Sequence, residues 1–259
     1  MNIKEIMKNN LVSQKLRQVY VELEGENFNG KHFQQNRRRY LKMLEFILPF
    51  SSTAKILDIG CGYCYLTKFL KHEGFEVFAV DFFYGDTPKI RCHESGIPFF
   101  QLNIEVDDLP FGEDVFDVII LGEVLEHFSY SPLIPLKKIR RALKNGGKLI
   151  LTTPNALRLI NLFKLLAGYN LYPDLKTYCQ EPIFYKGKSF FYRHNRLYSV
   201  KELIQLISHA GFKILSFGFI SEGNYRRDNL EKVLLKFLIS PLLLAFPRFR
   251  DFLWVVAEK

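Results

Sequence analysis

Hydrophobic and polar positions follow two different periods along most of the chain. The short runs "AKILDIG", "FEVFAVD" and "FDVIILGE" predict strands, and the continuous apolar run of the last is typical of a strand buried on both faces. Between the first two runs, Leu66, Phe69 and Leu70 recur at the spacing of one helix face. Because runs and helical segments alternate, the pattern predicts an α/β fold with a doubly wound, mostly parallel sheet.

The same pattern predicts how the chain is organised. Residues 1–50 are expected to form a basic, helical N-terminal extension, and residues 51–259 a single domain. The alternation loosens at residues 155–198, where we expect a cap inserted after the fifth strand, with a short helix and an aromatic-rich irregular stretch. Regular structure resumes with a helix opened by Ser199, with Glu202 completing a capping box.

Composition narrows the functional classes. With 48% hydrophobic and 24% charged residues, the chain of 259 residues has a globular composition, not a disordered one. A net charge of +9 favours an anionic partner such as phosphate, nucleic acid or an acidic membrane surface, although a solvated basic surface explains it equally well. The longest apolar run, residues 233–246, contains Lys236 and Pro241 and is too short to span a bilayer. It predicts either a helix packed on the core or a peripheral membrane contact.

The four cysteines do not form the framework of a disulfide-rich protein. Cys61 and Cys64 make a C-x-x-C pair, but no second pair follows at the spacing of a zinc ribbon, so no metal ligands are assigned there. The first residues lack the apolar core of a signal peptide, and a cytoplasmic location is expected.

Polar or glycine residues stand at the end of five successive predicted strands. These are Asp58, Gly60 and Gly62, then Asp81, Asn103, Glu123, and finally Thr153 and Asn155. Ligands of open parallel sheets bind beyond the carboxyl ends of the strands, so these residues predict one site. An acid about twenty residues after a glycine turn suits ribose hydroxyls, and the aromatic residue after it suits adenine.

The glycine turn also limits which adenosine cofactor fits. A dinucleotide turn has a third glycine where this chain has Tyr65, which makes an NAD-dependent oxidoreductase a distant alternative. The G-K-[ST] of a P-loop is absent. The pattern therefore favours a cofactor that contains adenosine but no pyrophosphate.

Four segments in order resemble the motifs of class I S-adenosylmethionine-dependent methyltransferases: "ILDIGCGYCYLTKFL", "VFAVD", "LPFGEDVFDVIILGEVLEHF" and "ALKNGGKLILTTPN". The resemblance covers about residues 55–155 and continues weakly at "HNRLYSVKELIQLISHAGFKI". It implies a seven-stranded sheet with an antiparallel last strand, and S-adenosyl-L-methionine as the cofactor. The residues that it implies bind the cofactor are Asp58, Gly60, Cys61, Gly62, Asp81, Phe82, Asn103, Ile104 and Glu123.

The resemblance also implies roles for these residues. Gly60 and Gly62 would surround the methionine part of the cofactor, with Asp58 beneath its amino group. Asp81 would hold the ribose and Phe82 would lie against the adenine. Asn103 and Ile104 would lie at the adenine edge, with the Asn103 amide oxygen meeting the adenine amino group, and Glu123 would lie at the floor of the site.

Two positions depart from the family pattern. Cys64 stands where a third glycine is usual, and we expect it to carry some strain if its φ angle is positive. Asn103 stands where an aspartate is common.

The segment "GEVLEHF" supplies candidates for catalysis. If a helix begins near Glu123, then Glu123, Glu126 and His127 share one face. The segment resembles the E-x-x-E-H element of metal-assisted methyltransferases, and His194 in the cap is a candidate fourth ligand. Three interpretations stay open: His127 as a metal-free general base with Glu126 beside it, a purely structural role, or a metal site.

The expected function is S-adenosylmethionine-dependent methyl transfer, on oxygen, to a small molecule or a glycan or lipid-linked intermediate. The acceptor is expected under the 155–198 cap, where aromatic and basic residues mix. Two alternatives remain: an RNA methyltransferase, for which nucleic acid would be the partner, and a non-catalytic module that binds the cofactor.

Overall fold

The protein folds around one mixed sheet and a small separate hairpin. The computed structural model describes residues 3–25, 30–83, 85–172, 175–221 and 241–259. The strands are β1 (Lys55–Ile59), β2 (Glu76–Asp81), β3 (Phe99–Gln101), β4 (Phe116–Gly122), β5 (Leu143–Pro154), β6 (Ile183–Tyr185), β7 (Lys188–Phe190), β8 (Lys213–Ile220) and β9 (Phe252–Glu258).

Seven of these strands form the sheet in the order β3-β2-β1-β4-β5-β9-β8, and β6 pairs with β7. Strands β1 to β5 are all parallel to one another, whereas β9 is antiparallel to both β5 and β8. The predicted doubly wound, seven-stranded sheet with an antiparallel last strand is confirmed. Because the order reverses between β1 and β4, the tips of these two strands open a crevice for a ligand.

Helices cover both faces of the sheet. They are α1 (Ile3–Glu24), α2 (Gly30–Ile47), α3 (Tyr65–His72), α4 (Thr87–Glu94), α5 (Leu133–Ala142), α6 (Leu159–Leu166), α7 (Leu175–Tyr178) and α8 (Val200–His209). Side chains of α1, α2 and α3 share one core cluster with the sheet, and those of α5 and α8 share another. The helices of the N-terminal extension therefore cover one face of the sheet.

Strand β4 shows why the sheet is buried on both sides. Val118 and Ile120 belong to the α1–α3 core, whereas Ile119 and Leu121 belong to the α5–α8 core. All four side chains are fully buried. Successive side chains of a strand point to opposite faces, so a continuous apolar run is what a central strand between two helix layers requires.

The 155–198 segment contains α6, α7 and the β6–β7 hairpin. The hairpin is tied to the sheet domain by the Tyr185 hydroxyl, which donates to Asp107 Oδ2 at 2.9 Å. The Tyr130 hydroxyl donates to the Ser189 carbonyl at 3.1 Å. These bonds place the hairpin over the carboxyl ends of the strands.

Most of the apolar run at 233–246 lies outside the described residues, so its packing and its membrane contact stay predictions. Within the described ranges, no helix has both the length and the apolar character needed to cross a membrane.

Candidate active site

A cavity of about 310 Å³ opens at the carboxyl ends of the parallel strands. It is lined by all eleven residues singled out from the sequence: Asp58, Gly60, Cys61, Gly62, Asp81, Phe82, Asn103, Ile104, Glu123, Glu126 and His127. The fold thus brings four strand ends to one place, whereas Thr153 and Asn155 of the fifth strand do not line the cavity. Thr153 instead donates a hydrogen bond to Glu126 at the cavity floor. Their individual roles remain proposals.

The glycine turn after β1 is held by backbone geometry that excludes a side chain. Gly60 has a φ of 77°, and its N–H donates to the Val80 carbonyl at 2.8 Å. A Cβ on Gly60 would lie 2.1 Å from Val124 Cγ2. Cys64, the N-cap of α3, has a φ of 61°, so the condition under which we expected strain at this position is met. At Gly60 and Gly62 the turn therefore presents bare backbone to the cavity, beside Cys61 and Tyr63.

Tyr65 occupies the position that a dinucleotide turn reserves for glycine. Its ring stacks on Tyr20 of α1 at 3.6 Å, and its hydroxyl donates to Glu24 Oε1. Since this side chain is buried, the close packing of helix against strand that the third glycine of a dinucleotide turn permits is absent here.

Two aspartates accept hydrogen bonds from residues in and next to the glycine turn. Asp81 accepts the Gly62 N–H at 2.8 Å with one oxygen and the Phe83 N–H at 3.0 Å with the other. Asp58 accepts the Thr67 hydroxyl at 2.7 Å. Burial raises the pKa of Asp58 to about 7, with negative charge at Cys92 and Asp81 adding to the shift. A cationic group in the cavity would stabilise the ionised form of Asp58.

Asn103 presents a different group to the cavity from the one expected. Its Oδ1 accepts the Glu105 backbone N–H at 3.0 Å, which requires the oxygen on that side. Its buried Nδ2 has no hydrogen-bond partner among the described residues. The NH₂ group, rather than the oxygen, is therefore the free group for a ligand, so a ring nitrogen is a better match than an amino group.

The expectation that a helix begins near Glu123 is wrong. Glu123 ends β4 with a φ of 59°, and a 3₁₀ turn spans Leu125–His127. Glu123 instead pairs with Arg39 of α2, with Nη1 and Oε2 3.0 Å apart. The left-handed residue turns the chain before a helix can form. Within the described residues, Glu126, His127 and His194 have ligand atoms close enough to share a metal ion, and Glu123 is not part of this group. A second such group, Cys61, Cys64 and Cys92, lies at the glycine turn.

Glu126 is completely buried at the floor of the cavity. Its Oε2 accepts the Thr153 hydroxyl at 3.0 Å, and its Oε1 has no partner among the described residues. Burial, followed by the negative charge of Glu123, raises the pKa of Glu126 well above its ordinary value.

His127 has one ring nitrogen occupied and one available. Nδ1 lies 3.0 Å from the Arg193 carbonyl, an acceptor only, so Nδ1 carries the proton and Nε2 holds a lone pair. Burial, with a contribution from His194, lowers the pKa of His127 to about 4. The imidazole is thus neutral and unprotonated on Nε2 at physiological pH.

The structure adds residues that strand-end reasoning did not identify. From α2 and the cap, the cavity is also lined by His32, Asn36, Arg39, Tyr40, Met43 and Tyr192. These residues lie far along the chain from the motifs, so the motifs did not indicate that they line the cavity. The basic run in "NRRRY" indicated a positive charge on this helix but not that Arg39 faces the cavity.

The cavity fits an adenosyl cofactor with a cationic centre and no pyrophosphate. Asn103 Nδ2, Glu123 Oε1 and Glu126 Oε1 are buried without a partner among the described residues. Buried polar atoms are normally paired, so these three indicate a polar ligand. Asp58 and Asp81 supply negative charge beside a turn of bare backbone.

Sheet order, glycine turn and strand-end acids together define a Rossmann-like methyltransferase. A family model described as "Methyltransferase domain" matches residues 31–216. The chain belongs to this family, which confirms the predicted class and S-adenosyl-L-methionine as its methyl donor.

Individual relatives resemble parts of the chain. A ubiquinone biosynthesis O-methyltransferase from Cereibacter sphaeroides is 34% identical over 110 residues, which are 42% of this chain and 44% of the relative. The chain thus matches less than half the length of that curated relative.

Solved structures show the same fold at low identity. An S-adenosylmethionine-dependent methyltransferase from Mesorhizobium loti has a TM-score of 0.55 at 18% identity, covering 85% of this chain and 97% of that one. The [4+2]-cyclase SpnF has a TM-score of 0.60 at 18% identity, covering 88% and 82%. Since a cyclase shares this fold, the fold alone does not establish the reaction.

Proposed function

We propose that the protein transfers the methyl group of S-adenosyl-L-methionine to the oxygen of a small phenolic acceptor. When bound, the cofactor supplies a methyl group on a sulfonium. The protein's own contribution is then to align the acceptor and take the proton from its hydroxyl.

One observation carries the proposal: His127 lines the same cavity as the glycine turn and Asp81. The Arg193 carbonyl holds Nδ1–H, and the Asn195 amide donates to the His127 carbonyl at 2.9 Å, so the cap orients the residue. Nε2 is then the atom that accepts a proton.

The weak basicity of His127 favours a phenol over a sugar hydroxyl. With a His127 pKa of about 4, full proton transfer from a phenol of pKa about 10 is uphill by roughly 8 kcal/mol. From a hydroxyl as weakly acidic as water, pKa about 15.7, it is uphill by roughly 16 kcal/mol. The difference of roughly 8 kcal/mol comes from the pKa values of the two acceptors, so a base at this position supports the phenol as the easier acceptor.

A row of aromatic rings supports a flat acceptor. Phe82 lies 4.9 Å from Phe83, Phe83 lies 5.2 Å from Tyr192, and Tyr192 stacks parallel to His127 at 5.6 Å. All four rings line the cavity. Such rings offer stacking surface both to adenine and to an aromatic acceptor.

Calorimetric titration with S-adenosylhomocysteine tests the cofactor site. Asp81→Asn removes a charge that would accept ribose hydroxyls, so binding should weaken by about 1.5–3 kcal/mol, or roughly 10- to 150-fold. The matched control is Asp86→Asn, because Asp86 is exposed and does not line the cavity. Equal affinity of both variants would contradict the proposed ribose contact.

A methyl-transfer screen tests the acceptor class. It compares hydroxybenzoates and catechols with sugars, lipid-linked glycans and RNA oligonucleotides. We expect turnover on the phenols. Turnover confined to sugars would refute the phenol assignment. Transfer only to RNA, with affinity falling steeply as salt rises, would support the nucleic-acid alternative instead.

A further inference from the structure

Three cysteines that are distant in sequence meet behind the glycine turn. Cys64 Sγ lies 3.4 Å from Cys92 Sγ of α4 and 3.8 Å from Cys61 Sγ. Cys64 and Cys92 are buried to 99% or more, whereas Cys61 is half-buried and lines the cofactor cavity. This three-thiol cluster has no part in the proposed methyl transfer.

The backbone already holds Cys61 and Cys64 at a distance that a disulfide tolerates. The Cys64 N–H donates to the Cys61 carbonyl at 2.9 Å, which closes a β-turn over residues 61–64. The ends of a β-turn lie less than about 7 Å apart at Cα, and disulfides span about 4.4–6.8 Å. A bond between the two sulfurs therefore needs only a side-chain adjustment.

Charge favours a disulfide over a metal site in this cluster. Three thiolates around Zn²⁺ would bury a net charge of about −1, next to Asp58, whose pKa is already raised by its surroundings. Burying uncompensated charge costs several kcal/mol. A disulfide is neutral and avoids this cost.

We propose that Cys61 and Cys64 form an oxidation-sensitive dithiol, which a hydroperoxide entering through the cofactor cavity converts to a disulfide. The Cys61 sulfur attacks the peroxide oxygen and becomes a sulfenic acid, while the O–O bond breaks and an alcohol or water leaves. The Cys64 sulfur then attacks Cys61, the S–O bond breaks, and water leaves. In total, two thiols and one hydroperoxide give one disulfide, one alcohol or water, and one water.

Cys92 is placed to help the second step. The thiols of Cys61 and Cys64 donate to its sulfur, which lowers the pKa of Cys92, whereas the pKa values of Cys61 and Cys64 are raised, so Cys92 has the most thiolate character of the three. As Cys64 attacks, its proton passes to Cys92 over 3.4 Å and then to the departing hydroxide. Cys92 is therefore a positioning residue and stays reduced.

If the proposed function is right, the cofactor covers Cys61 and shields it. Oxidation should then slow in proportion to the unliganded fraction, so S-adenosylhomocysteine at nine times its Kd should slow it about tenfold. This part rests on the proposed function, whereas disulfide formation in the empty protein does not.

The test treats the full-length protein with hydrogen peroxide, blocks the remaining thiols and maps peptides by mass spectrometry. We expect a peptide linking Cys61 to Cys64, with Cys92 alkylated. In Cys64→Ser, a sulfenic acid on Cys61 should be trapped by dimedone. In the control Cys179→Ser, whose thiol is exposed elsewhere, the disulfide should form as in the wild type.

The outcomes separate the two proposals. Absence of the Cys61–Cys64 peptide, or stoichiometric zinc that protects all three thiols, would overturn the dithiol. Should Cys64→Ser fail to fold, the peptide map of the wild type and the loss of the linked peptide in Cys61→Ser still test whether the dithiol forms. A disulfide that forms equally fast with S-adenosylhomocysteine present would leave the dithiol standing and count against the proposed cofactor placement.

Discussion

Gly60→Ala is expected to destabilise the protein for two separable reasons. The φ of 77° costs an alanine about 1–2 kcal/mol, because its Cβ crowds the following carbonyl. The new Cβ would also lie 2.1 Å from Val124 Cγ2. Val124 is β-branched and stiff, so relieving this overlap should cost a further 1–3 kcal/mol or so. The free energy of unfolding should therefore fall by about 2–5 kcal/mol.

A second substitution isolates the overlap. Val124→Ala removes the methyl group that the new Cβ would meet, so the double variant Gly60→Ala/Val124→Ala should be more stable than the two single losses predict. The coupling energy should be about 1–3 kcal/mol, measured from urea unfolding of the four proteins in a double-mutant cycle.

Gly146→Ala provides the matched control for the backbone cost. Gly146 has a φ of 78°, almost that of Gly60, but a Cβ there meets nothing within 4 Å. This variant should lose only about 1–2 kcal/mol. If the cycle is additive, or if Gly146→Ala and Gly60→Ala are equally unstable, the close contact between the turn and Val124 is not what requires a glycine at position 60.

Three further predictions concern charged and titrating groups. Asp58 has a pKa of about 7 in the folded protein and near 3.8 in the unfolded chain, so folding takes up a proton at pH values between these two. The free energy of unfolding of the wild type should therefore fall by about 4 kcal/mol relative to Asp58→Asn as the pH rises from 4 to 7. Parallel curves for the two proteins, measured by urea unfolding, would refute this. His127→Gln should lower kcat by about 10²–10⁴-fold without weakening the binding of S-adenosylhomocysteine. The control substitution His93→Gln, at an exposed histidine, should change neither kcat nor this binding. Turnover by the wild type should survive EDTA, and loss of turnover would point to a metal at Glu126, His127 and His194. Arg39→Met leaves the partly buried Glu123 carboxylate unpaired and should cost about 1–3 kcal/mol by urea unfolding. Adding Glu123→Gln should restore most of this loss, and no recovery would show that Arg39 acts through packing.

The sequence alone determined the sheet and the residues at its carboxyl edge. Apolar runs such as 116–122 can be buried only between two helix layers, and strand alternation makes the connections parallel. Once the strands are parallel, Asp58, Asp81 and Asn103 must share an edge, whatever the details of packing. That is why residues from four strand ends could be assigned to one site from the sequence, whereas Thr153 and Asn155 of the fifth strand, assigned to it as well, do not line the cavity.

Only the tertiary structure decided how those residues are used. A single left-handed residue, Glu123, replaced the expected helix by a turn, and local periodicity contains no signal for such a φ angle. The pairing of Arg39 with Glu123 and the meeting of Cys92 with Cys64 join positions far apart in the chain. The protonation of His127 depends on burial and on a carbonyl from the cap. Such contacts arise only when separate elements pack together, because pKa values and hydrogen-bond partners depend on the neighbours that folding brings close.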